Sequence, residues 1–199
     1  MLIRAAFSQL LESSICLNSV SVSGDVMTIE SSSDYTDTEA RKKLINGNIR
    51  KIIIGEEAEI QAFSGFNYIT DLEITSTYIF EIPEKLFYEN NIIQTVTLPQ
   101  NVESIGDYAF AFSSIETINL EYVTSIRKNA FENCHKLSVV SLNQDYIIEE
   151  YTIANSGITT ISINNCPEYA FFNCFDLRQV TISKLVLRFP NMHLRIAQN

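Results

Sequence analysis

One frame, apolar-x-x-apolar-x-apolar, returns seven times along this chain and constrains its fold more than any other feature. It begins at Ile49, Ile69, Ile93, Ile115, Leu137, Ile158 and Leu177, a spacing of 19 to 24 residues. Its second and third members are Ile52 and Ile54, Leu72 and Ile74, Val96 and Leu98, Ile118 and Leu120, Val140 and Leu142, Ile161 and Ile163, and Val180 and Ile182. A second element precedes every frame but the first: Ala62-Phe63, Leu86-Phe87, Ala109-Phe110, Ala130-Phe131, Thr152-Ile153 and Ala170-Phe171. An Ile stands four residues before the small residue in four units, as Ile82, Ile105, Ile126 and Ile148.

A unit of about 21 residues cannot bury an apolar face alone, whereas stacked units can. The end of each frame alternates with the period of a strand, so its apolar residues face one way and the intervening polar ones the other. Parallel strands from successive units would pair at about 4.8 Å, giving a sheet roughly 29 Å long. The Ala-Phe element returns along the opposite wall, with Phe filling the core. The expected fold is a right-handed, quasi-one-dimensional, mostly β solenoid. It has a parallel sheet of about seven strands on one face and turns, short strands or 3-10 segments on the other.

These residues also carry a likeness. The units "SIGDYAFAFSSIETINL" from Ser104 and "SIRKNAFENCHKLSVVSL" from Ser125 resemble the BspA-like class of leucine-rich repeats. That class has the signature I-x-x-x-A-F-x-x-C-x-x-L-x-x-I-x-I-P, met here by Ile126, Ala130, Phe131, Cys134 and Leu137. The stretch "TLPQNVESIGDYAF" supplies the I-P-x-x-V-x-x-I-G linker, and the resemblance covers about residues 49–183. It implies an α/β leucine-rich repeat solenoid and a repeat protein of surface adhesion or protein interaction, a kind abundant in protozoan parasites and some bacteria. The unit at Tyr151–Ser156 departs from it, with Thr-Ile in place of Ala-Phe.

The ends read as caps over the solenoid's terminal apolar faces. Residues 1–48 are expected to form a small α+β N-terminal cap. It comprises a helix with Ile3, Ala6, Phe7, Leu10 and Leu11 on one face, read as a cap with a partner-binding helix or a degenerate Ala6-Phe7 repeat as alternatives, a hairpin turning at Gly24-Asp25, and a second helix with Thr36 and Glu39 as capping box. Residues 49–183 are the seven repeats. Residues 184–199 form a C-terminal cap, locally basic through Lys184, Arg188 and Arg195.

The net charge of −10 argues against nucleic acid and anionic membrane as partners, since both call for a positive footprint. No run of eighteen apolar residues predicts membrane insertion. The N-terminal stretch lacks an uninterrupted signal-like apolar core, and no N-x-S/T sequon occurs. Together these tilt the expected location toward the cytoplasm, with the cell surface or secretion as the alternative.

Catalytic chemistry finds little to build on. Cys16, Cys134, Cys166 and Cys174 make no metal spacing, and no phosphate loop or calcium loop is present, so neither metal nor cofactor is expected. Cys134 and Cys174 both stand three residues after the bulky member of their units, a slot that the resemblance implies faces the core; they are about two rungs apart and beyond disulfide reach. The Cys134-His135 neighbours diverge in this frame, and nothing is placed to orient them as a dyad.

What the frame leaves over is the surface. The outer columns of the sheet carry Thr95, Thr97, Thr117, Asn119, Ser141, Thr160 and Ser162, a hydroxyl-rich platform that equally suits a plain exposed strand. Aromatics gather beside the turns instead, with Tyr108, Phe112, Tyr122 and Phe172 the foremost candidates for a contact surface. The expected function is non-catalytic: a protein-interaction or scaffold protein whose partner is another protein, or a structural subunit of a larger assembly. A cell-surface adhesin is the alternative reading.

Overall fold

In a computed structural model, the protein is described over residues 20–31, 49–57, 68–140, 146–163 and 167–182. The two cap helices, the 62–63 pair and the 184–199 segment lie outside these residues. The hairpin pairs β1 (Val20–Ser23) antiparallel with β2 (Val26–Ser31) through a turn in which Gly24 has φ +64°, a left-handed conformation open to glycine without a Cβ clash.

β2 then continues in parallel into the repeats. All seven frames form strands: β3 (Lys51–Glu57), β4 (Asp71–Ile74), β6 (Thr95–Thr97), β8 (Thr117–Ile118), β10 (Val139–Val140), β12 (Thr160–Ile163) and β13 (Gln179–Ile182). Their register is that of the repeat itself: Lys51, Asp71, Thr95 and Thr117 align, as do Val139, Thr160 and Gln179. The expected single sheet is instead two. One runs β1-β2-β3-β4-β6-β8, the other β10-β12-β13, with no ladder between β8 and β10. The Lys136 ammonium reaches the Glu116 carboxylate at 3.1 Å across this interruption.

The Ile residues four before each small residue form a second ladder. β5 (Glu81–Ile82), β7 (Ser104–Ile105), β9 (Ser125–Ile126) and β11 (Ile147–Ile148) pair in parallel, and this sheet spans the rungs at which the front sheet is interrupted. No helix occurs among the described residues.

The core lies between these walls. Frame residues such as Ile52, Ile69, Ile93, Ile115, Leu137 and Ile158 are buried, as are Leu86, Ala109, Ala130 and Thr152. Phe87, Phe110 and Phe131 stack along the axis, with centroids 5.7 and 5.3 Å apart. Such pairs add roughly 0.5–1.5 kcal/mol each beyond the area they bury. Thr152 fits the Ala slot because its hydroxyl donates to the Glu149 carbonyl at 2.6 Å, so its buried oxygen is satisfied.

Candidate functional site

The surface that carries exposed chemistry is the wall of turns. Each turn runs six residues: Glu84–Glu89, Asp107–Phe112, Lys128–Asn133, Glu150–Asn155 and Glu168–Asn173. The second and sixth residues of every turn lie in the left-handed region: Lys85 and Glu89, Tyr108 and Phe112, Asn129 and Asn133, Tyr151 and Asn155, Tyr169 and Asn173. A left-handed non-glycine residue costs roughly 1–2 kcal/mol, less for Asn. What holds the conformation is a ladder between turns. The Phe87, Phe110, Phe131 and Ile153 amides each donate to the small residue's carbonyl in the next unit, at Ala109, Ala130, Thr152 and Ala170. The Glu89, Phe112, Asn133 and Asn155 amides donate likewise to Ala111, Glu132, Ala154 and Phe172.

The same geometry aims side chains outward on one wall. Tyr88 meets Tyr108 at 6.3 Å and Phe112 at 5.7 Å, both edge-on. Three units along, Tyr151 stacks on Tyr169 at 5.0 Å, and Phe172 packs edge-on against both. Phe112 is 41% exposed and Phe172 39% exposed. The turn between the two clusters, Lys128–Asn133, has no outward aromatic. The wall is acidic: within the five described turns Glu84, Glu89, Asp107, Glu132, Glu150 and Glu168 stand against two cations, Lys85 and Lys128, which pair with Glu84 at 2.9 Å and Glu150 at 3.3 Å. Hydrogen bonding to Glu89 and to Glu168 pushes the Tyr88 and Tyr169 phenols above their usual pKa.

The sheet residues are placed differently. Thr95, Thr97, Thr117 and Asn119 line a shallow, open trough of about 720 Å³ on the first sheet, together with Val139 of the second. Thr160 and Ser162 lie on the second sheet, beyond the interruption, and Ser141 is outside the described residues. Asn119 is committed to the backbone: its amide donates to the Leu98 carbonyl at 2.8 Å, and its oxygen accepts from the Leu98 N–H at 2.7 Å. Tyr122 is exposed but stands apart from both aromatic clusters, where its phenol accepts from Gln100. Tyr146, flanking a turn in the sequence, is buried, and its phenol donates to the Ser162 carbonyl at 2.6 Å.

Sequence reasoning passed over Tyr151, because "YTIANS" read as a departure from the repeat. Yet Tyr151 occupies the slot of Tyr108 and Tyr169, immediately before the small residue, and aligning that slot would have found it. It also passed over Tyr78 and Phe175, 72% and 71% exposed; Tyr78 stands four residues before Ile82, the slot that Tyr122 takes before Ile126, and Phe175 follows the slot of Cys174.

The two cysteines among the described residues lie in the core. Cys134 is free and buried, and its thiol donates to the Phe110 carbonyl at 3.0 Å; Cys174 repeats this toward Ile153 at 3.1 Å. Burial pushes the Cys134 pKa up to about 12, so it holds no thiolate near neutrality. His135 beside it is exposed. No group of three metal-ligating side chains occurs among the described residues, and no helix among them is long and apolar enough to cross a membrane.

A family model described as the BspA type leucine rich repeat region matches residues 56–178, in six copies. No curated protein and no solved structure matches the chain.

Proposed function

The chain belongs to the BspA-type leucine-rich repeat family, and from that premise we propose that it is a non-catalytic protein-interaction protein, a scaffold or fixed subunit that presents its turn wall to another protein. The observation that carries this reading is the pair of outward aromatic clusters, Tyr88-Tyr108-Phe112 and Tyr151-Tyr169-Phe172. The fold does not require them, since the middle turn is built on the same hydrogen bonds with Asn129, Glu132 and Asn133 in their slots. Exposed aromatics on a soluble surface mark contact sites, and aromatic anchors carry much of the binding energy where such contacts form.

The hydroxyl-rich front sheet is the lesser surface in this reading, because Asn119 is spent on Leu98 and the platform is interrupted at β8/β10. The test is co-purification of the tagged protein from its own cells, comparing the unaltered chain with Phe112→Ser/Phe172→Ser and with Thr97→Ala/Thr117→Ala. Loss of a stoichiometric partner in the first variant and retention in the second supports the proposal. Retention in the first and loss in the second moves the interface to the sheet. Labelling of intact cells in the same experiment distinguishes an internal scaffold from an adhesin displayed outside.

A further inference from the structure

We propose that the occupant of the aromatic turn wall is a basic, extended segment of a partner protein, held by cation–π contacts to the two aromatic clusters and by the carboxylates between and beside them. The inference rests on the preceding reading that this wall is the contact surface, and it adds the chemistry of what binds there.

Three features of the wall point the same way. The first is its charge. Its six carboxylates exceed its two lysines, and both lysines are already paired within the wall. Among the described residues, Glu89, Asp107, Glu132 and Glu168 have no salt bridge, so an arriving cation finds carboxylates that are not neutralised. An acidic partner would meet like charge, a cost that suppresses wrong partners.

The second is the form of the apolar surface. Aromatic rings with carboxylates alongside suit guanidinium or ammonium groups, which bind ring faces and edges of carboxylates together. The chain itself supplies an internal example: the Lys85 ammonium lies 5.9 Å from the Tyr108 ring centroid while paired to Glu84 at 2.9 Å. A partner's Arg or Lys would repeat that arrangement at Phe112 and at the Tyr151-Tyr169-Phe172 cluster.

The third is spacing. The clusters occupy the third and fourth units and the sixth and seventh, so their centres are three rungs apart, about 14 Å at about 4.8 Å per rung. An extended chain rises about 3.3 Å per residue, so a segment lying along the solenoid axis would place cations on the two clusters when they are about four residues apart. The polar middle turn, with Lys128 paired to Glu150, would lie beneath the intervening residues.

The experiment titrates the full chain with three synthetic twelve-residue peptides in a Gly-Ser background. One carries two Arg-Arg pairs whose centres are four residues apart, one carries the same four arginines in a single block, and one carries glutamates in place of the arginines. Affinity is read by isothermal titration or by anisotropy of a labelled peptide at about 0.15 M salt. The expected result is saturable binding of the spaced basic peptide, none of the acidic one, and a loss of roughly tenfold in Phe112→Ser/Phe172→Ser, which leaves every charge in place. Because both side chains are exposed, this variant is expected to keep its cooperative melting. A second variant, Tyr151→Phe, keeps the ring and should bind as the unaltered chain does.

Binding of the spaced and block peptides with equal affinity, unaffected by Phe112→Ser/Phe172→Ser, would overturn the inference and leave only the general attraction of an acidic chain for basic ones. Absence of binding to either basic peptide would overturn it as well. In both cases the proposal of an aromatic contact surface would survive if the co-purifying partner is still lost in that variant, because the partner's chemistry would then differ while the surface stands.

Discussion

The two long walls of this solenoid solve the same stacking problem with opposite means. The front sheet uses residues that suit an extended strand, short ladders of two to seven residues, and side chains of Thr and Ser on its outer face. It costs little locally, and it is the wall that breaks, between β8 and β10. The turn wall uses residues in an unfavourable left-handed conformation twice per unit, and its hydrogen bonds run from turn to turn through all five described turns. Continuity therefore resides where the local cost is highest. In a quasi-one-dimensional fold, stability is close to a sum of unit and neighbour contributions. Across the break, the Phe stack, the turn ladder and the β9–β11 pairing of the back sheet, rather than the front sheet, tie the middle units together.

Phe110 lies between Phe87 and Phe131 in the core stack. Phe110→Ala should cost about 3–5 kcal/mol, as large-to-small changes at fully buried aromatics do. Urea denaturation followed by far-UV circular dichroism checks this, and the unfolding should lose its single transition as the two ends uncouple. A cost under about 1 kcal/mol would show that the front sheet, not the turn wall, carries the coupling.

Cys134 tests the turn wall by pH. Its folded pKa is raised by burial to about 12, above the ordinary thiol value, so the folded state holds its proton more tightly than the unfolded chain does. Stability from this group is therefore fully present below about pH 9. It falls as pH rises, at about 1.4 kcal/mol per unit, until the folded pKa is reached. Cys134→Ser places in that slot the residue already found at Ser113 and Ser156, and it should remove this slope. The difference between the two pH-stability curves isolates the thiol from the tyrosines and lysines that titrate nearby. Curves that stay parallel from pH 8.5 to 11 would contradict the burial.

On the front sheet the largest single effect should come from Asn119, the residue there that is bonded in both directions to a neighbouring strand's backbone. Asn119→Ala leaves the Leu98 N–H and carbonyl without that partner and should cost about 1–3 kcal/mol. Thr97→Val and Thr117→Val, on the same face, should stay within about 0.5 kcal/mol of the parent. Midpoints and slopes of urea curves for the three variants make the comparison. If Asn119→Ala were as mild as the threonine changes, the whole outer face would be free for a partner.

The repeat was legible because burial imposes it. Frame residues such as Ile52, Val96, Ile118 and Ile161 must be apolar at fixed spacing, and all are buried. The register followed from the same spacing, and the core slot of Cys134 and Cys174 followed from the resemblance to the repeat class. The break after β8 was not legible, since Val139 and Val140 propose a strand as good as any other. Asn119 was misleading for a related reason. An outward polar residue on a strand reads as surface, and only the structure shows its amide turned to Leu98. The left-handed turn positions were not read from the sequence: Asn129, Asn133, Asn155 and Asn173 are of a type that tolerates them, but Tyr108, Tyr151 and Tyr169 give no sign of them. Among the aromatics, Phe112 and Phe172 stood out because the unit already had its inward Phe. Tyr151 did not, because its unit lacked the Ala-Phe landmark that would have aligned it.

The finest distinction concerns Phe112, which takes the left-handed slot that Asn fills in the three following turns. Phe112→Asn exchanges a bulky residue at φ 60° for one that adopts this conformation at lower cost, a gain of up to about 1 kcal/mol. Against this stands the edge-on contact with Tyr88 at 5.7 Å, a loss of about 0.5–1 kcal/mol. The two should nearly cancel, leaving the folding midpoint within about 0.5 kcal/mol of the parent, while one outward ring disappears from the wall. Such a result would mean that the aromatic is kept at a conformational cost that folding does not require, as expected of a residue held for contact with another molecule. A loss above about 1.5 kcal/mol in the urea midpoint would instead make Phe112 part of the support for its turn, and the case for the wall as a contact surface would then rest on Phe172 and its neighbours alone.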